Sequence, residues 1–99
     1  MPEWIRIDTD ILDHKKTIIL SRALGESELT TVGRLIGLWS FVQIHAWRDG
    51  DLEIWGSDGI EKAARWTGEK GEFFRCLNEA KLIQKNKINN WNQYAGIYT

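Results

Sequence analysis

The residues that could do chemistry are few, and the spacing of each group argues against catalysis. Asp10 and His14 are four apart, so on one helix they would sit side by side as two ligands for a metal ion. No third ligand stands near them, and a capped helix start accounts for Asp10 and Asp13, so no metal site is expected. His45 closes a long apolar segment, where a cationic imidazole suits the negative end of a helix. Cys76 has no histidine near it in sequence to draw off its proton. As the single cysteine, it also excludes an internal disulfide and a cysteine-based zinc site. Gly68-Glu69-Lys70-Gly71 has the glycine and lysine of a phosphate loop but not the Gly-x-x-x-x-Gly-Lys-Ser/Thr spacing. Asp49 and Asp51 flank Gly50 and read as turn chemistry. These observations lead to the expectation of no enzyme, no cofactor and no small-molecule substrate.

A different chemistry emerges from the basic residues. The net charge is −1, but it is unevenly spread. Residues 1–61 hold six Lys/Arg against eleven Asp/Glu, a net of −5, whereas residues 62–99 hold seven against three, a net of +4. A basic half joined to an acidic half is the asymmetry that can hide a nucleic-acid face inside a neutral total. Ninety-nine residues, 42% of them apolar and 27% charged, are the length and composition of one globular domain.

The elements that must position these residues follow from periodicity. Trp4-Ile5-Arg6-Ile7-Asp8 alternates and reads as a short extended arm. Asp10, three residues before Asp13 in near-capping spacing, then precedes a helix carrying Ile11, Lys15, Ile18, Ile19 and Leu24, ended by Gly25. Ser27 caps a helix from about Glu28 to Trp47 that is apolar nearly all round. Its main stripe is Leu29, Val32, Ile36, Trp39 and Val42, and Gly33 and Gly37 allow a neighbouring backbone to approach. Asp51-Leu52-Glu53-Ile54-Trp55 alternates as a half-buried strand does. Ser57 caps a short helix with Ile60, Ala63 and Ala64 inward, broken at Trp66-Thr67-Gly68. A further helix from about Glu69 to Lys81 turns Phe73, Leu77 and Ala80 inward. The stretches 82–85 and 87–91 flank Asn86 as a β-hairpin.

Helix, strand, helix, turn, helix and hairpin make up the order of a winged helix-turn-helix. The expected fold is therefore mainly α with a small antiparallel sheet, with an extra N-terminal helix and arm. It forms a single domain: arm and first helix at 1–25, winged-helix unit at 28–91 and tail at 92–99. The recognition helix would present Arg75 and Asn78, side chains that bond guanine and adenine in a bidentate manner. Glu72 and Glu79 share that face and sit awkwardly against phosphate. Lys62, Arg65, Lys70 and Lys81 would contact phosphates, together with the wing residues Lys85, Asn86 and Lys87. A solvated helix face accounts for Arg75 and its neighbours equally well.

The sequence also resembles the N-terminal domain of phage and prophage replication-initiation proteins (replisome organisers), related to the amino-terminal winged helix of primosomal DnaD proteins. Four features carry the resemblance: Trp4 to Ile11, Gly33-Arg34-Leu35-Ile36-Gly37-Leu38-Trp39, Asp49-Gly50-Asp51-Leu52, and Trp91. It implies a part in loading the replication machinery, with DNA binding and self-association as the domain's work and a helicase or its loader as partner. Such proteins generally carry a further C-terminal region, so the resemblance implies either that one follows Thr99 or that the winged helix acts alone. Two other uses of the fold stay open: protein contact within a replisome, and transcription regulation.

Six tryptophans are the compositional oddity. Trp39 and Trp47 lie on roughly one face of the long helix, and Trp4 leads the arm. These three are expected either to form a homodimer contact or to be covered by the chain itself. The opening Met1-Pro2-Glu3-Trp4 lacks the features of a signal peptide. The segment from Leu35 to Trp47 is interrupted by polar residues and falls short of the ~20 residues that span a bilayer. A soluble, cytoplasmic protein that avoids membranes is expected.

Overall fold

His14, rather than the acids before it, starts the first helix. The computed structural model describes residues 4, 5, 7, 9–84 and 86–88. Residues 9–13 form turns, and Asp13 N–H donates to the Asp10 carbonyl at 3.0 Å. His14 then adopts extended backbone, and its Nδ1 accepts from Lys16 N–H at 3.2 Å. Helix α1 spans Lys15–Leu24 and ends at Gly25, whose φ of 69° lets its N–H turn back to the Arg22 and Ser21 carbonyls. Helix α2 spans Glu28–His45, and the Ser27 hydroxyl caps it by accepting from Thr30 N–H at 3.1 Å.

The buried face of α2 is Thr31, Val32, Leu35, Leu38, Trp39, Val42 and Gln43. Of the expected stripe, Leu29 and Ile36 instead face water, Leu29 at 73% exposure. Both α1 and α3 pack on α2, and Leu35 and Leu38 join the buried cluster, so the buried stripe includes positions beside the expected one. The two glycines of α2 also part company. A Cβ on Gly37 would lie 2.8 Å from the Ala63 carbonyl oxygen, so this glycine admits α3, whereas one on Gly33 would meet open space.

The expected strand at 51–55 is not formed. Asp51 makes a single antiparallel bridge to Lys87, and the chain then turns. Asp49 and Asp51 cause the turn: their Oδ1 atoms accept from Asp51 N–H and Glu53 N–H, both at 3.0 Å. Trp55 and Gly56 N–H then donate to the Leu52 carbonyl and lead into α3, Gly56–Ala63. Ser57 lies inside that helix, which has no side-chain cap. Helix α4, Glu72–Glu79, is shorter than the expected 69–81. It is bounded by left-handed backbone at Gly71 (φ 89°) and at Lys81 (φ 61°).

Strands β1 (Ile83–Gln84) and β2 (Lys87–Ile88) form an antiparallel hairpin pairing Ile83 with Ile88 and Gln84 with Lys87. The expected extensions through Lys85 and to Trp91, and the tail at 92–99, lie outside the described residues. Backbone bonds tie the hairpin to the turn before α3: Leu52 N–H donates to Asn86 O at 2.7 Å and Ile88 N–H to Gly50 O at 2.9 Å. One apolar cluster joins every element, centred on Leu20, Leu35, Trp39, Ile60, Phe73 and Leu77. The protein is thus mainly helical with a two-stranded antiparallel sheet. No helix among the described residues is long and apolar enough to cross a membrane.

Candidate nucleic-acid interface

The corner between α3 and α4 is fixed by two charged side chains that point inward. Helix α4 begins at Gly71 and has no capping side chain of its own. Glu61, on α3 and only 6% exposed, supplies the cap: Oε1 accepts from Gly71 N–H at 2.9 Å and Oε2 from Phe74 N–H at 3.1 Å. A carboxylate on the first amides of a helix satisfies orphan donors and complements the dipole. Arg34 of α2 holds the C-terminal end of α3. It forms a fork with Glu26, Nε to Oε1 and Nη2 to Oε2, both at 2.7 Å. Its Nη1 donates to the carbonyls of Ala64 at 3.3 Å and Arg65 at 2.5 Å. The bond to Glu26 holds the Arg34 pKa above its ordinary value, against the opposing effect of burial.

Trp66 fills the corner. Its ring stacks on Phe73 with centroids 5.6 Å apart, the Arg34 guanidinium lies 5.0 Å from its centroid, and its Nε1 donates to Glu69 O at 2.8 Å. Neither Glu61 nor Trp66 is evident from local sequence as an organising residue. The available signal was the absence of Ser, Thr, Asp or Asn just before α4, which requires a donor-satisfying group from elsewhere in the chain.

Around this corner the candidate contact residues fall into three groups. Lys62, Arg65, Lys70, Lys81 and Lys87 are exposed. Lys70 Nζ lies 3.4 Å from Asp58 in an exposed pair of little strength. The Arg65 guanidinium bonds the Lys62 carbonyl at 3.1 Å. The Lys81 carbonyl accepts from Lys16 Nζ at 3.2 Å. Asn86 is half-buried in the hairpin turn, and Lys85 lies outside the described residues.

The two residues expected to read bases are engaged within α4. Arg75 Nη1 donates to both Glu79 oxygens, at 2.5 and 3.1 Å, and Asn78 Nδ2 donates to the Phe74 carbonyl at 3.0 Å. Both geometries are the ordinary i,i+4 pairing of a helix surface.

Other expectations are corrected by placement. Trp39, expected at an oligomer contact, is 2% exposed and belongs to the chain's own core. Trp4 is 55% exposed, and Trp47 is half-buried beneath the Arg48 guanidinium, 5.2 Å from its ring centroid. His14 is a helix cap and Asp10 lies in a turn, so the two do not share a helix face. Among the described residues no group of three or more His, Cys, Asp or Glu is placed to hold a metal ion. Burial pushes the Cys76 thiol up, partly offset by Arg75, so it stays protonated at neutral pH.

No family model matches the chain, nor does any characterised protein or any solved structure.

Proposed function

We infer that this chain is a winged-helix module that grips DNA mainly through its phosphates. One observation carries the reading: exposed Lys62, Arg65, Lys70, Lys81 and Lys87 all belong to one helix-turn-helix and its hairpin, while Glu61 of that unit is turned inward. The order of elements supports it, with α2 as the first helix and α3 and α4 as the helix-turn-helix. The hairpin is the wing, and the Asp51–Lys87 bridge is the remnant of the strand that pairs with it. With Arg75 and Asn78 engaged inside α4, discrimination between sequences is weak.

On the resemblance in sequence, we propose that such a module serves in a phage-type replication-initiation protein, with a helicase or its loader as partner, in a cytoplasmic setting and without catalysis of its own. Fluorescence anisotropy with a labelled random duplex and a labelled single strand, at two salt concentrations, tests the DNA reading. Binding should weaken steeply with salt. Lys62→Ala and Lys87→Ala should each reduce the slope of log K against log salt by about 0.9 on duplex, to the same extent on unrelated sequences. Absence of binding at low salt overturns the reading in favour of protein contact.

A further inference from the structure

A broad concavity lies outside the helix-turn-helix. The last turn of α2 and the segment 46–55 enclose an open groove of about 640 Å³. That size falls within the roughly 300–1,000 Å³ typical of ligand clefts. Its walls are aromatic. Trp55 packs edge-on against Phe41 at 5.5 Å, and His45 lies 4.4 Å from Phe41 and 5.5 Å from Trp55. Trp47 also lines the groove. At its edge stands Ile54, 89% exposed, the most exposed large apolar side chain among the described residues.

That exposure is imposed by a fixed turn. Leu52, fully buried, anchors the segment in the core, and its carbonyl accepts from both Trp55 and Gly56 N–H at 3.0 Å. The Asp49 and Asp51 carboxylates lock the residues on either side of it, and Leu52 N–H is tied to the hairpin. Trp55 is held on its other side by α3, since a Cβ on Gly59 would lie 2.5 Å from the Trp55 Cβ. An aliphatic side chain on a rigid turn is preorganised to meet a partner, because little entropy is lost when it does.

The rim carries the opposite chemistry. Asp49, Asp51 and Glu53 are all exposed around the groove, and among the described residues none of them is in an ion pair. The one lysine or arginine in the lining, Arg48, already rests over the Trp47 ring, an internal precedent for a guanidinium on this wall. Three carboxylates repel the phosphates of a nucleic acid, so charge complementarity selects a cation. We propose that this groove docks a basic segment of a partner protein: an extended peptide whose lysine or arginine meets the acidic rim while an adjacent aliphatic or aromatic residue packs on Ile54 and Trp55. This inference is independent of DNA binding, since none of its residues is one of the exposed cations above.

The test is selection from a random dodecapeptide display library on the full chain, followed by anisotropy with the labelled selected peptides. Selected peptides should share a Lys or Arg next to an apolar residue. Ile54→Ser and the triple substitution Asp49→Asn, Asp51→Asn, Glu53→Gln should each weaken them by about tenfold. Ile54 is solvent-facing, so I54S should leave the thermal unfolding curve unchanged, which separates loss of binding from loss of fold. Duplex binding should survive I54S. Three outcomes overturn the proposal: selected peptides without cations, peptides indifferent to I54S, or a wild-type dimer in light scattering that I54S returns to monomer. The last would make a second copy the occupant.

Discussion

The α3–α4 corner and the groove at 46–55 handle polar and apolar groups in opposite ways. At the corner, Glu61 and Arg34 turn inward to satisfy backbone amides and carbonyls, and Trp66 is sandwiched between Arg34 and Phe73. What is left outside is a scatter of flexible lysines. At the groove the carboxylates stay outside and bond only the turn's own amides, while Ile54 is held in water. The corner is therefore self-sufficient and offers charge alone, which suits a ligand read by its phosphates. The groove carries an unmet apolar surface inside an acidic frame, which suits a shaped partner. Formal charge by itself would have ranked the two regions only by sign.

The corner's self-sufficiency has a sharp test in Glu61. Glu61→Ala removes the acceptor for two backbone donors at a site closed by α3 and α4, and should cost about 3 kcal/mol in urea unfolding. A loss below about 1 kcal/mol would show that water replaces the carboxylate there, and the contrast between the regions would shrink. Glu61→Gln should fall between, because its amide offers a single acceptor oxygen.

The two glycines of α2 give the next largest effect and divide cleanly by sign. Gly37→Ala forces a Cβ against the Ala63 carbonyl oxygen at 2.8 Å and should destabilise by about 2 kcal/mol. Gly33→Ala meets open space in a helix and should stabilise by roughly 0.5–1 kcal/mol. Equal effects in thermal unfolding would mean that α3 does not depend on a glycine contact to seat on α2.

Where sequence and structure diverge, the cause is either a contact between residues distant in sequence or a side chain that bonds nearby backbone in place of the expected pattern. Gly25 and Ser27 were legible because a helix end is decided by neighbours. So was the inward set Ile60, Ala63, Phe73 and Leu77, because periodicity survives packing. Gly33 and Gly37 are identical in sequence terms, and only the path of α3 tells them apart. The alternation at 51–55 imitates a strand, but two aspartates bonding backbone two residues ahead bend the chain first. For the contact residues, sequence named Lys62, Arg65, Lys70, Lys81 and Lys87, and the structure leaves these five exposed. It could not show that Arg75 and Asn78 would be taken up by Glu79 and the Phe74 carbonyl, or that Glu61 would leave the surface.

The smallest effect is the most informative, because it falls where the two regions meet. Asp51 bridges Lys87, so one groove carboxylate stands directly across from the lysine of β2. Asp51→Asn keeps the Oδ1 acceptor that Glu53 N–H uses, and so keeps the turn, while removing one negative charge. A unit charge about 10 Å from a phosphate in water is worth about 0.4 kcal/mol, so duplex affinity should rise by about twofold at low salt. The gain should fade above about 0.1 M salt, where screening acts over that same distance. Basic peptides should be bound more weakly by the same variant. Opposite signs for the two ligands would establish the hairpin and the groove as adjacent surfaces with different partners. A fall in both would mean that Asp51 serves the shape of a single surface, and the division between the regions would have to be redrawn.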